Sequence, residues 1–234
     1  MHFVERSDGK GLRPATLRDA RKLGLLPSPT SIIKVLRAPQ LEAWLQEQAV
    51  LAVMTATRNP GEALDAFIER VLHTERQQDE QAAKARDLGT QIHAAIEASL
   101  TGKPCPKELE PFVMPAVEQA KSLGRVRSTE TVVVGKGYAG RVDCILEGTS
   151  TTILDFKTNG AVKLPTTAYW EAELQTAAYS KALGTDGPIQ TAVLYISTRT
   201  PGEVSLCVQK EWETAWLAFE HLLHYWQISN DYYT

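Results

Sequence analysis

The chain reads as an α/β protein with an amino-terminal helical region. Three observations predict this. Runs of β-formers over residues 129–134, 138–146 and 151–157 follow one another with Gly-containing turns between them. Before them the apolar residues recur at helical spacing. After them helical and strand patterns alternate to the end.

The elements follow in order. Residues 14–23 form a short candidate helix with Pro14 early in it. Pro27-Ser28-Pro29-Thr30 is a break, and Thr30 or Ser31 is placed to cap a short helix to about Leu36. Residues 40–57 carry Leu41, Trp44, Leu45 and Val53 among Glu and Gln, a helical pattern. Asn59-Pro60-Gly61 is a turn. Residues 62–72 read as helix, and a polar stretch leads into a helix over 81–100 whose stripe includes Leu88, Ile92, Ala95, Ile96 and Ser99. Thr101-Gly102-Lys103-Pro104 ends it, and a further helix runs over 110–122 with Pro111 and Pro115 near its start.

Lys136-Gly137 and Glu147-Gly148 mark hairpin connections among the three strands. A helix over 167–183, strands over 189–197 and 203–209, and a helix over 211–228 complete the chain. The last helix is amphipathic, with Trp212, Trp216, Phe219, Leu222, Leu223 and Trp226 on its apolar side. From residue 81, leaving out the helix over 110–122, the order is α-β-β-β-α-β. The expected division is a helical, partly basic region over 1–80 and a core over 81–234.

Composition is that of an ordinary globular protein, 43% hydrophobic and 23% charged over 234 residues. No apolar run reaches membrane-span length, and the start lacks a secretory signal pattern. A cytoplasmic location and no membrane partner are expected. Cys105, Cys144 and Cys207 lie far apart and are read as incidental thiols. The net charge of −3 does not advertise nucleic-acid binding. Residues 1–40, however, hold eight basic residues against three acidic ones, among them Arg13, Arg18 and Arg21. Such a segment is suited to tracking phosphates, or equally to forming a solvated helical face.

Chemistry concentrates at Gly140-Arg141-Val142-Asp143 and Asp155-Phe156-Lys157. Residues two apart on a strand share a face, so Asp155 and Lys157 lie together. Two carboxylates are hard oxygen donors suited to Mg²⁺ or Mn²⁺, with the Phe156 carbonyl as a further ligand. Lys157 beside them is placed to orient or deprotonate water, or to stabilise a phosphoryl transition state. A bare Asp-x-Lys is otherwise a surface ion pair, but Ile153-Leu154-Asp155-Phe156 is apolar on both faces and reads as a central strand.

Gly89-Thr90-Gln91-Ile92-His93 places a glycine within a helix and offers His93 as an imidazole ligand or a structural histidine. Gln175 and Tyr179 share a helix face, to hold a phosphate or stack on a base, or simply to pack. Glu130 positions a ligand or a water, or faces solvent at a strand end.

Together these motifs resemble the PD-(D/E)xK nuclease superfamily, in its RecB-like exonuclease branch. They span Gly89 to Tyr179 in the family's order. The resemblance implies a central mixed sheet flanked by helices. It implies divalent metal (Mg²⁺ or Mn²⁺) held by His93, Asp143, Asp155 and the Phe156 carbonyl. It implies catalysis by Asp143, Asp155 and Lys157 with Glu130, and DNA contact by Gln175 and Tyr179. Some RecB-like members carry a four-cysteine iron–sulfur cluster; three scattered cysteines predict none here. The compact length resembles a stand-alone exonuclease of phage or bacterial recombination. It would act on DNA ends, alone or with a recombination or single-strand-binding protein. An endonuclease on the same core, or a non-catalytic DNA-binding module, is the alternative. Arg13, Arg18 and Arg21 would line an arch or tunnel over the DNA.

Overall fold

The computed structural model describes residues 3–5, 12–14, 16–36, 54, 56–185 and 187–233; of 3–5, 12–14, 68–69 and 71–86 only the backbone is described. The helix expected over 40–57 lies mostly outside the described residues.

Strands β1 (Phe3–Glu5) and β2 (Leu12–Pro14) pair antiparallel. This hairpin corrects the expectation of helix from residue 14. Pro14 ends a strand, and helix α1 (Leu17–Leu23) begins after Thr16, whose hydroxyl accepts from Asp19 N–H while Asp19 reaches back to Thr16 N–H. Helix α2 (Pro29–Ile33) is capped by Ser28 rather than Thr30 or Ser31, with Pro29 in the first turn. A 3₁₀ turn, Lys34–Leu36, follows.

Helix α3 (Leu64–Leu100) joins two helices that sequence patterning separates. The polar stretch between them, residues 73–80, holds Glu, Gln and Arg with His, Thr and Asp but no Gly or Pro, so nothing in it breaks the helix. Helix α4 (Glu110–Ser122) follows. Then come β3 (Arg125–Gly135), β4 (Tyr138–Glu147), β5 (Thr151–Asn159), α5 (Trp170–Leu183), β6 (Ile189–Ser197), β7 (Val204–Gln209) and α6 (Glu213–Ser229).

The fold is α/β, a five-stranded mixed sheet flanked by helices, with strand order β3-β4-β5-β6-β7. β5 and β6 are parallel because α5 crosses between them; the other neighbours are antiparallel. β5 is central and buried over Thr152 to Phe156. α2, α5 and α6 form a core around Ile32, Tyr138, Leu174, Ala177 and Phe219. The packing does not divide the chain at residue 80. Residues 36–91 form one compact unit, and residues 1–35 belong with 92–234 in the other. All of the site described below lies in that second unit.

Candidate active site

Hairpin arithmetic sets up the site. The three-residue loop after Glu147 pairs Glu147 with Thr151 and, further along, Cys144 with Leu154. The next pair in that register would be Asp143 opposite Asp155. The ladder stops one step short of it. On the other side, the two-residue turn Lys136-Gly137 pairs Thr129 with Cys144 and Thr131 with Val142. That brings Glu130 opposite Asp143, and this step too is missing from the ladder. Glu130, Asp143 and Asp155 therefore form one row across three strands. Like charges directly opposite one another destabilise a sheet; the β4–β5 ladder ends at this row, and the β3–β4 ladder skips it and resumes at Thr131 and Val142. Glu130 also holds a left-handed backbone (φ 50°), uncommon for a residue with a side chain.

The bonds around this row are specific. Asp143 Oδ2 accepts from Phe156 N–H at 2.9 Å. The N–H and C=O of one strand residue leave on the same edge, so the Phe156 carbonyl also points into the gap where β4 and β5 have separated. Asp155, only 2% exposed, accepts from Gln175 Nε2 on Oδ1 at 2.9 Å. Its Oδ2 lies 2.8 Å from Lys157 Nζ as an ion pair but accepts no hydrogen bond of proper geometry. Lys157 instead donates to Gln175 Oε1 at 3.0 Å, and Gln175 Nε2 also donates to Tyr179 Oη at 2.9 Å. Gln175 is thus the hub between the carboxylate, the ammonium and the phenol.

Local sequence explains why the hub is free for this. α5 is buried along most of its length and is rich in small residues. Its other buried polar side chains turn inward, Thr176 donating to the Ala172 carbonyl and Ser180 to the Thr176 carbonyl. Gly140 supplies the clearance on the opposite wall. A Cβ there would overlap the Tyr179 ring and crowd Pro29. The glycine of the Gly-Arg-Val-Asp motif is there for this close approach.

His93 reaches the row from α3. Its Nδ1 is 3.8 Å from Asp143 Oδ2, and its ring meets Phe156 edge-on. Burial pushes its pKa down, against the pull of Asp155, so the imidazole is neutral and the His93–Asp143 approach is not an ion pair. Burial, then the charge of Asp155, pushes Asp143 up to about 8. Burial opposes the charge on Lys157, but Asp155 and Asp143 outweigh it and raise its pKa. Lys157 is an ammonium here, which suits charge stabilisation rather than proton abstraction. Burial raises Glu130, opposed by its ion pair with Arg141. Burial and Asp155 keep Tyr179 protonated.

These groups line a cleft of about 550 Å³ with Ser28, Thr30, Val132, Ala139 and Arg141. The structure brings together His93, Asp143, Asp155, Phe156, Lys157, Gln175 and Tyr179. Glu130 meets the site through its row and through Arg141. Arg18 and Arg21 are exposed on α1 and are not among the cleft residues; Arg21 donates to the Asn230 carbonyl at the end of α6. The side chain of Arg13 lies outside the described residues. Ser28 and Thr30 are cleft residues that sequence patterning marks only as part of a break, with Thr30 a cap candidate. They arrive there because Ala139 N–H donates to the Pro27 carbonyl at 3.0 Å, tying the segment before α2 to β4.

Asp155 is paired with Lys157 and Glu130 with Arg141, while Asp143, part-buried, holds its proton up to about 8, so the metal-free site carries little net charge. Among the described residues, no three His, Cys, Asp or Glu side chains form a ready-made metal centre. The donor set fits a hard divalent cation nonetheless. Asp155 Oδ2 is a buried acceptor with no hydrogen bond, and Asp143, the Phe156 carbonyl and a neutral imidazole stand around the same gap.

No family model and no curated protein matches this chain. A solved structure described as the crystal structure of SSO0001 is similar at a TM-score of 0.32 and 15% identity. The match covers 51% of this chain and 58% of that one, little more than half of each. Among the described residues no helix is long and apolar enough to cross a membrane.

Proposed function

We propose that this chain is a divalent-metal-dependent deoxyribonuclease with a PD-(D/E)xK core of the RecB-like branch, acting as an exonuclease on DNA ends. One observation carries the reading. Three carboxylates share a row across β3, β4 and β5, and the innermost keeps a buried oxygen without a hydrogen bond beside a lysine. Such an arrangement adds little to stability, because burying charges is costly even when they are paired. A binding module has no use for it.

Asp143, Asp155, the Phe156 carbonyl and His93 would hold Mg²⁺ or Mn²⁺, which supplies charge neutralisation at the phosphate and a water of lowered pKa. The protein's own groups do the rest. Lys157, kept charged by Asp155, stabilises the negative charge that builds on the phosphoryl oxygens. Gln175 fixes Lys157 and Asp155 relative to each other. Tyr179 offers a protonated hydroxyl to the cleft. Glu130 adds a smaller negative field at Asp143, after burial and Asp155, and holds Arg141 at the rim.

Linear and covalently closed circular DNA, incubated with Mg²⁺ and with Mn²⁺, test the assignment. Nucleotides released from the linear form alone are expected. Cutting of the closed circle would move the reading to an endonuclease, and DNA binding without cleavage in either metal would overturn it.

A further inference from the structure

A second cavity of about 640 Å³ opens where the tip of the β3–β4 hairpin meets the end of α5 and one side of α6. Its composition is unusual for a packing defect. Half-buried Trp216 forms an aromatic floor, backed by the buried Tyr138 ring at 6.1 Å between centroids. Tyr138 is fixed there by its hydroxyl, which donates to the Ala178 carbonyl at 2.8 Å. Lys181 lies over the Trp216 ring at 5.6 Å, and exposed Lys136 stands on the hairpin turn. Tyr233 is 68% exposed at the mouth. Glu220 and Gln227 add an acceptor and an amide on the α6 side.

The cavity neighbours the nuclease cleft along β3 and β4. Val132 lines the cleft and Val134 lines the cavity; they share one face of β3 and are 68% and 62% exposed. On β4, Arg141, Gly140 and Ala139 line the cleft and Tyr138 lines the cavity. From Asp143 to Tyr138 is about 17 Å of strand, the reach of about five stacked nucleotides or fewer extended ones.

We infer that this cavity is a nucleotide subsite for the single strand leading to the scissile bond. A base lies against Trp216 and Tyr233, its edge meets Glu220 and Gln227, and Lys136 and Lys181 meet the phosphates. The inference rests on the nuclease reading for the identity of the strand. Each chemical type in the lining has a role in a nucleotide: rings for the base, an acceptor and an amide for its edge, ammoniums for the phosphate. An acidic peptide would use the lysines and the apolar floor but would meet Glu220 as a like charge.

The experiment measures binding of fluorescein-labelled oligodeoxythymidylates, an octamer and a dinucleotide, in EDTA so that cleavage plays no part. Lys136→Glu and Tyr233→Ala, both at exposed positions, serve as variants. Each is expected to weaken octamer binding about tenfold and to leave the dinucleotide unchanged. Octamer binding at wild-type affinity in both variants overturns the subsite, whether or not the protein cuts DNA. An acidic peptide with one Phe that binds through Lys136 and Tyr233, while the octamer does not, overturns it as well. Variant-sensitive octamer binding in a protein that cuts nothing would keep the subsite and remove the nuclease.

Discussion

The parallel β5–β6 pair buries polar groups at both of its ends, and the two ends behave differently. Near the start, Thr152 and Thr191 are fully buried and fully paired. Gln190 Nε2 donates to Thr152 Oγ1 and Thr191 Oγ1 donates to Gln209 Oε1, both at 2.8 Å. These groups are neutral, and each hydroxyl oxygen has a hydrogen-bond partner. Toward the far end, Asp155 and Lys157 are charged, and Asp155 Oδ2 is left without a hydrogen bond. Among the described residues, the other buried side-chain oxygen in that condition is the neutral hydroxyl of Thr185. Buried polarity that closes on itself supports the fold; buried charge that does not close marks a place where the protein expects something else.

The largest effect should come from removing that charge. Asp155→Asn is expected to lower cleavage at least ~10³-fold, on the scale of other lost electrostatic groups, in a protein that still folds but loses some stability because Lys157 is left without its carboxylate. Thr191→Val should do the reverse, losing about 1 kcal/mol of stability with cleavage unchanged. Parallel chemical denaturation and nuclease assays check both. Wild-type cleavage by a folded Asp155→Asn, or cleavage lost in Thr191→Val, would erase the contrast.

Next comes Gly140→Ala. The added methyl displaces the Tyr179 ring and strains the hub at Gln175, so kcat should fall about 10²-fold with about 1–3 kcal/mol lost in stability. Unaltered kcat would detach Tyr179 and Gln175 from the reaction.

A third test uses pH. The folded state holds the Asp143 proton up to about 8, against an ordinary value of 3.8. Its stabilising contribution is therefore full below the unfolded value and is lost as pH rises toward 8. Metal-free protein should lose stability over that window, and added Mn²⁺ should restore more of it at pH 8.5 than at pH 6. Melting curves at the two pH values read this directly; equal restoration would separate Asp143 from the metal.

The smallest effect is expected on α1. Arg18→Ala should reduce the salt slope of DNA binding by about one. Arg21→Ala should cost stability instead, because its guanidinium already holds the Asn230 carbonyl. Equal salt slopes in the two variants would contradict that division.

Much of this site is legible in the amino-acid sequence. The twelve-residue spacing of Asp143 and Asp155, with a Gly-containing turn midway, sets two acids opposite each other in a hairpin. The same logic about Lys136-Gly137 places Glu130 in that row, although strand patterning alone leaves its role open. Other features depend on contacts that local pattern does not encode. Ser28 and Thr30 enter the cleft because a backbone bond docks the segment before α2 onto β4. β1 and β2, at three residues each, are too short to show a period. The merging of two expected helices into α3 reflects propensity winning where amphipathic periodicity lapses.

The most direct measurement is digestion of end-labelled DNA by wild-type protein and by Asp155→Asn, each with Mg²⁺, with Mn²⁺ and with EDTA. Nucleotide release by the wild type in a divalent metal, with none in EDTA and none from a folded Asp155→Asn, is the predicted result. Release that survives EDTA or the substitution, or no release by the wild type in either metal, would contradict a metal-dependent nuclease built on the row of carboxylates.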